Sequence, residues 1–158
     1  MLLVFRLNKL SDYATVVMTL LASDPERLCG TPEISERARL ETPTVSKLLK
    51  LLTRAGLLES VRGAHGGYRL ARAPERISVA DILVAIEGPF AMTECGMHPG
   101  QCSHETHCQV RGNWRKISFA IETALRTVTL SDMVAPAQGW TPKVTVERPA
   151  VVQVLGIK

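Results

Sequence analysis

The sequence predicts a mainly α-helical chain with a small β wing: a winged helix-turn-helix followed by a long C-terminal dimerisation helix. Three observations predict it. Two Thr-Pro helix starts, Thr31-Pro32 and Thr42-Pro43, lie so close that only a very short turn can join their helices. A glycine-tipped pair of short strands follows the second start, and a heptad-like apolar run from Trp114 to Val128 follows a long aperiodic stretch.

Each element has its own signal. Ser11 caps a first helix over 11–22, with Tyr13 or Ala14, Val17, Met18 and Leu21 on one face. Asp24-Pro25 ends it, and the turn to Gly30 has room for a short strand around Leu28. Thr31 is the expected N-cap of the second helix, with Pro32 at its first position and Ile34 and Ala38 facing inward. The third helix, over 43–55, places Val45, Leu48, Leu49 and Leu52 at i, i+3, i+4 and i+7, a stripe for the core. Gly56 closes it, and strands over 57–61 and 68–70 flank the tip Arg62-Gly63-Ala64-His65-Gly66-Gly67. Ser78 and Asp81 form a variant capping box for a fourth helix bearing Val79, Ile82, Leu83 and Ile86, which Gly88-Pro89 stops.

From 88 to 112 there is no period, only glycine, proline, histidine and three cysteines, the mark of a long loop organised by something other than a core. Beyond it, Trp114, Ile117, Ile121, Ala124 and Val128 form a seam on a helix over 113–127, and a seam needs a partner. Ser131 caps one more turn over 130–134. The expected organisation is a DNA-binding winged helix over 1–88, a cysteine-rich cluster-binding loop over 89–112, a dimerisation helix over 113–135 and a mobile tail over 136–158.

Composition narrows the classes. With 158 residues, 22% charged and 46% hydrophobic, the chain is a globular protein with one core, which excludes wholesale disorder. The longest apolar stretch, 16–22, is far short of a bilayer span, and the apolar start is broken by Arg6 and Lys9, unlike a secretory leader. A cytosolic protein with no membrane partner is expected. The formal charge is +4, but 37–76 alone holds nine basic residues against three acidic ones, more than the whole surplus.

That charge sits on the elements a winged helix uses for duplex DNA. Lys47, Lys50 and Arg54 can neutralise phosphates, while Thr42, Thr44 and Ser46 are short enough to approach base edges. A solvated helix face would explain three cations by themselves. Arg62 and His65 on a glycine tip tilt the reading to DNA, because glycines make a loop costly to order and give stability no reason to keep it.

Cys95, Cys102 and Cys108 fall within fourteen residues, whereas Cys29 stands alone as a small buried or incidental residue. Their spacing is neither the close pairs of a zinc finger nor a ferredoxin run. On spacing, an iron-sulfur cluster, zinc, and reactive or incidental thiols all remain open.

Val61-Arg62-Gly63, Gly66-Gly67-Tyr68, the capped helix after them and the three cysteines resemble the bacterial winged-helix iron-sulfur regulator family that includes IscR-like and NsrR-like proteins, over about residues 8–135. Ser11-Asp12-Tyr13-Ala14-Thr15-Val16-Val17, Ala64-His65-Gly66-Gly67-Tyr68-Arg69-Leu70 and Val110-Arg111-Gly112-Asn113-Trp114-Arg115 are most similar to the branch that regulates the SUF iron-sulfur assembly operon. The resemblance implies a homodimer with crossing C-terminal helices and a [2Fe-2S] or [4Fe-4S] cluster on Cys95, Cys102 and Cys108 near the interface. IscR-like members add a histidine three residues past the last cysteine, where this chain has Arg111. NsrR-like members use an aspartate from the partner's first helix, which Asp12 matches; Glu94, His98, His104 and His107 stand behind it. Asp12 also has a plain role, favouring the helix dipole.

The function expected is therefore a repressor, not an enzyme, that binds an operator and senses iron-sulfur status to control assembly genes, with no small-molecule substrate. The alternatives are a nitric oxide or redox sensor of the same family, a zinc-stabilised DNA-binding protein without sensing, and a small electron carrier, which would leave the wing unexplained.

Overall fold

The computed structural model describes residues 7–91, 93, 110–136 and 141. Helix α1 spans Lys9–Ala22, its cap lying three residues earlier than the sequence suggests. Its cap is Asn8, not Ser11: Asn8 Oδ1 accepts from the Ser11 N–H at 2.8 Å. Ser11 is instead buried in the first turn, where its hydroxyl donates to Glu87. Ala14, Val17, Met18 and Leu21 face the core as their spacing requires.

Helix α2, Thr31–Ala38, has Gly30 at the N-cap, so Thr31 is its first residue and not its cap. It ends on Arg39, whose φ of 53° and ψ of 44° are left-handed. That turn satisfies the end of α2, with Arg39 N–H donating to Glu36 O at 3.2 Å and Leu40 N–H to Ser35 O at 3.0 Å. An L-residue there costs about 1 kcal/mol more than glycine would. Three positions after Arg39, α3, Thr42–Arg54, begins, completing the helix-turn-helix. Val45, Leu48, Leu49 and Leu52 are all fully buried. Gly56, at φ 71°, turns the chain out of α3 and into the hairpin.

Strands β1, Leu58–Val61, and β2, Gly67–Leu70, pair antiparallel with Leu58 opposite Leu70 and Val61 opposite Gly67. The expected short strand near Leu28 is a single bridge at Cys29, whose N–H and C=O bond Tyr68 at 3.0 and 2.9 Å along the other edge of β2. A 3-10 turn, Pro74–Arg76, leads to α4, Val79–Glu87, with the Ser78/Asp81 capping box in place.

Helix α5 spans Arg111–Arg126 and α6 Leu130–Val134. Here too the cap moves: Thr129 pairs with Asp132 in a capping box, and Ser131 lies inside the turn. Val79 N–H donates to Val128 O at 2.9 Å and Leu130 N–H to Ile77 O at 2.7 Å, which fastens the end of α5 to the start of α4. The core gathers α1, Ile34 of α2, the α3 stripe, Leu57, Leu58 and Leu70 of the hairpin, Ile77, Ile82 and, from the far end of the chain, Leu130.

Candidate nucleic-acid interface

Lys47, Lys50 and Arg54 recur at intervals of three and four on α3, so they share the face opposite the buried leucines. All three are exposed, and none has a hydrogen bond or carboxylate partner among the described residues. Thr42, the first residue of α3, is exposed, while Thr44 and Ser46 are half-buried along the edge of the same face.

The wing tip presents Arg62 and His65 to solvent. Its glycines have structural reasons that the sequence reading lacked. Gly63 has φ 118°, and a Cβ on Gly66 would lie 2.2 Å from Val61 O. A Cβ on Gly67 would meet Cys29 O at 2.7 Å, because the Cys29 segment runs directly alongside. Two of these glycines thus serve close backbone packing.

Not every cation of the basic segment is free. Arg69 is held by Glu59, its cross-strand partner, and this bond raises its pKa further above the ordinary range. Arg37 lies 3.5 Å from Glu33, which also takes Arg27 at 2.8 Å. Among the described residues of that segment, the cations left without an ion pair lie on α3, at the wing tip, at Arg39, and beyond the wing at Arg72 and Arg76. Sequence reasoning passed over Arg39; the signal for it is a non-glycine residue in the short turn between two helices.

The expected cluster ligands Cys95, Cys102 and Cys108, with Glu94, His98, His104 and His107, lie outside the described residues, as does nearly all of the 136–158 tail. Asp12 stands exposed in the first turn of α1, and its carboxylate has no partner among the described residues. Cys29 is a core residue, 2% exposed. Burial pushes its thiol up, Glu33 adds to this, and the nearby Arg27 and Arg37 guanidiniums only partly oppose it. No group of three metal-ligating side chains comes together among the described residues.

On α5, Trp114 and Ile117 are exposed and Ile121 and Ala124 half-buried within the single chain, while Val128, expected on the same seam, is half-buried two residues past the helix end. Phe119, outside that seam, is 72% exposed. Arg126 lies 2.7 Å from Glu122 and 3.2 Å from Asp81, a second tie between α5 and α4. No helix among the described residues is long and apolar enough to cross a membrane.

A family model, Rrf2, described as an iron-dependent transcriptional regulator, matches residues 7–136. Protein aau3 of Rhizobium meliloti is 35% identical over 131 residues, covering 82% of this chain and 84% of that protein. The solved structure of IscR from T. potens is similar with a TM-score of 0.63 at 32% identity, over 82% of this chain and 86% of that one. CymR, described as the global cysteine regulator of B. subtilis, gives a TM-score of 0.64 at 27% identity, over 83% and 97%.

Proposed function

This chain belongs to the Rrf2 family of transcriptional regulators, and we propose that it works as a homodimeric repressor that reads a palindromic operator and couples it to iron-sulfur status, controlling iron-sulfur assembly (SUF) genes. It is a DNA-binding regulator and not an enzyme. The observation that carries the DNA reading is the row Lys47, Lys50 and Arg54, exposed and unpaired on the second helix of the helix-turn-helix. In that arrangement α3 enters a major groove, with Thr42, Thr44 and Ser46 nearest the bases, while Arg62 and His65 reach the backbone or the minor groove. Two copies would neutralise roughly 6 to 10 phosphates, so affinity should fall about 10³- to 10⁵-fold between about 50 and 200 mM salt.

Cys95, Cys102 and Cys108 supply three thiolates for the cluster, and Asp12 of the partner subunit the fourth ligand. Two features support this set. Asp12 has an exposed, unpaired carboxylate, and Cys29 is a buried neutral thiol unsuited to ligation. Soft thiolates favour iron-sulfur chemistry, and a bound cluster adds a centre whose integrity depends on iron and redox supply. The chain's part is to hold it between α1 of one copy and the cysteine loop of the other, and so to fix the spacing of the two reading helices.

The experiment is anaerobic purification followed by binding to the DNA upstream of its own gene. Brown protein with iron and sulfide, whose operator affinity differs about 5- to 150-fold from that of Cys102→Ala, is the expected result, with the holo form tighter. Equal affinities would end the sensing mechanism. The likeness to CymR favours a second reading, the same DNA-binding machinery answering a signal other than cluster supply; colourless protein, with or without zinc, would select it.

A further inference from the structure

We propose that Arg39, in the turn between α2 and α3, is a further DNA contact, a guanidinium that grips a backbone phosphate beside the reading helix. The inference rests on the DNA-binding reading of α3 and the wing. Among the described residues Arg39 is the one non-glycine position with positive φ, 53°. Glycine takes this conformation without penalty, and the turn's own hydrogen bonds, from Arg39 N–H to Glu36 O and from Leu40 N–H to Ser35 O, need no side chain at all.

A side chain that strains its backbone ordinarily repays the strain by packing or pairing within the fold. Arg39 does neither: it is exposed and makes no side-chain hydrogen bond or ion pair among the described residues. Arg37, two residues earlier, is paired with Glu33, and the exposed Glu41, two residues later, does not take up the Arg39 charge. The strained residue therefore presents a free guanidinium three positions ahead of Thr42, where α3 starts. Its fork of donors matches a phosphate, and such a contact sets the register of the reading helix without reading sequence.

The test uses the full chain and a labelled mixed-sequence duplex of about 30 base pairs, because a phosphate contact acts on any sequence. Arg39→Gly should raise the melting midpoint by about 2 to 4 °C as the turn relaxes. It should also weaken binding about tenfold at low salt and reduce the slope of log affinity against log salt by about 1 for each copy bound. Arg39→Lys should keep most of that slope. Wild-type affinity and slope in Arg39→Gly, alongside weakened binding by Lys50→Ala, would overturn the proposal and leave the α3 reading standing. Absence of salt-dependent duplex binding by the wild-type chain would overturn both.

Discussion

At Gly67 the backbone of the wing runs so close to Cys29 that a single methyl has no room. We expect Gly67→Ala to cost about 1 to 3 kcal/mol, as overpacking does, by forcing the Cys29 and Tyr68 segments apart; urea unfolding checks it, and an unchanged midpoint would deny the close packing. Arg62, at the exposed tip, carries no such structural duty. Arg62→Ala should leave stability within about 0.5 kcal/mol of wild type while lowering the salt slope of DNA binding by about 1 per copy, most strongly on A/T-rich flanks if the wing enters a narrow minor groove. A titration of matched duplexes at several salt concentrations separates these outcomes. The two residues are five apart in sequence, one held by close backbone packing and the other exposed to solvent, a difference that composition does not reveal.

Among the elements, α4 depends most on one carboxylate. Partial burial pushes the Asp81 pKa up, yet hydrogen bonds from Ser78 and the guanidiniums of Arg126 and Arg72 outweigh this and hold it below the ordinary carboxylate range. The folded protein thus binds the Asp81 proton less readily than the unfolded chain does. The stability this gives is complete above the unfolded value, near about pH 4, and is lost as pH falls through the lowered folded value. We expect Asp81→Ala to cost about 1 kcal/mol at neutral pH through the lost cap and to flatten the acid limb of stability; unfolding at pH 7 and about pH 3 is the measurement. An acid limb as steep as wild type would assign it to other carboxylates. The capping box itself was legible as Ser78 with Asp81. The reach of Arg126 to the same carboxylate was not, because it depends on how α5 packs, 45 residues away.

For the molecule as a whole, the expected seam on α5, whose C-terminal end is stitched to α4, would set how two reading heads are held. Trp114 and Ile117 are 38% and 43% exposed in one chain, which is costly area for a monomer to leave in water. If Ile121 lies in the interface between copies, Ile121→Asp places an unpaired charge there twice and should yield a monomer. Its operator affinity should fall about 10²-fold or more, since the second half-site is no longer held at high effective concentration. Sedimentation showing an intact dimer would refute the seam.

The sequence by itself determined the helices, the turn of the helix-turn-helix, the strand pair and the row of cations on α3, because helical period, Thr-Pro starts, glycine stops and capping pairs are local physics written in neighbouring residues. It also carried the family, through strings around the wing and the first helix. The cap of α6 was legible too, since Thr129 with Asp132 repeats the Ser78/Asp81 pattern and Ser131 has only Val134 three residues on; at α1, where Asn8 and Ser11 are both good caps, the structure selects Asn8 and buries Ser11. Tertiary structure likewise decided which cations are free: Arg37 and Arg69 look the same as Arg54 and Arg62 in sequence, but Glu33 and Glu59 come within reach of them only through one helical turn and one strand register. The strain at Arg39 belongs with these. A left-handed turn is imposed by where α2 and α3 must both bury their leucine and isoleucine faces, a requirement that no single residue states.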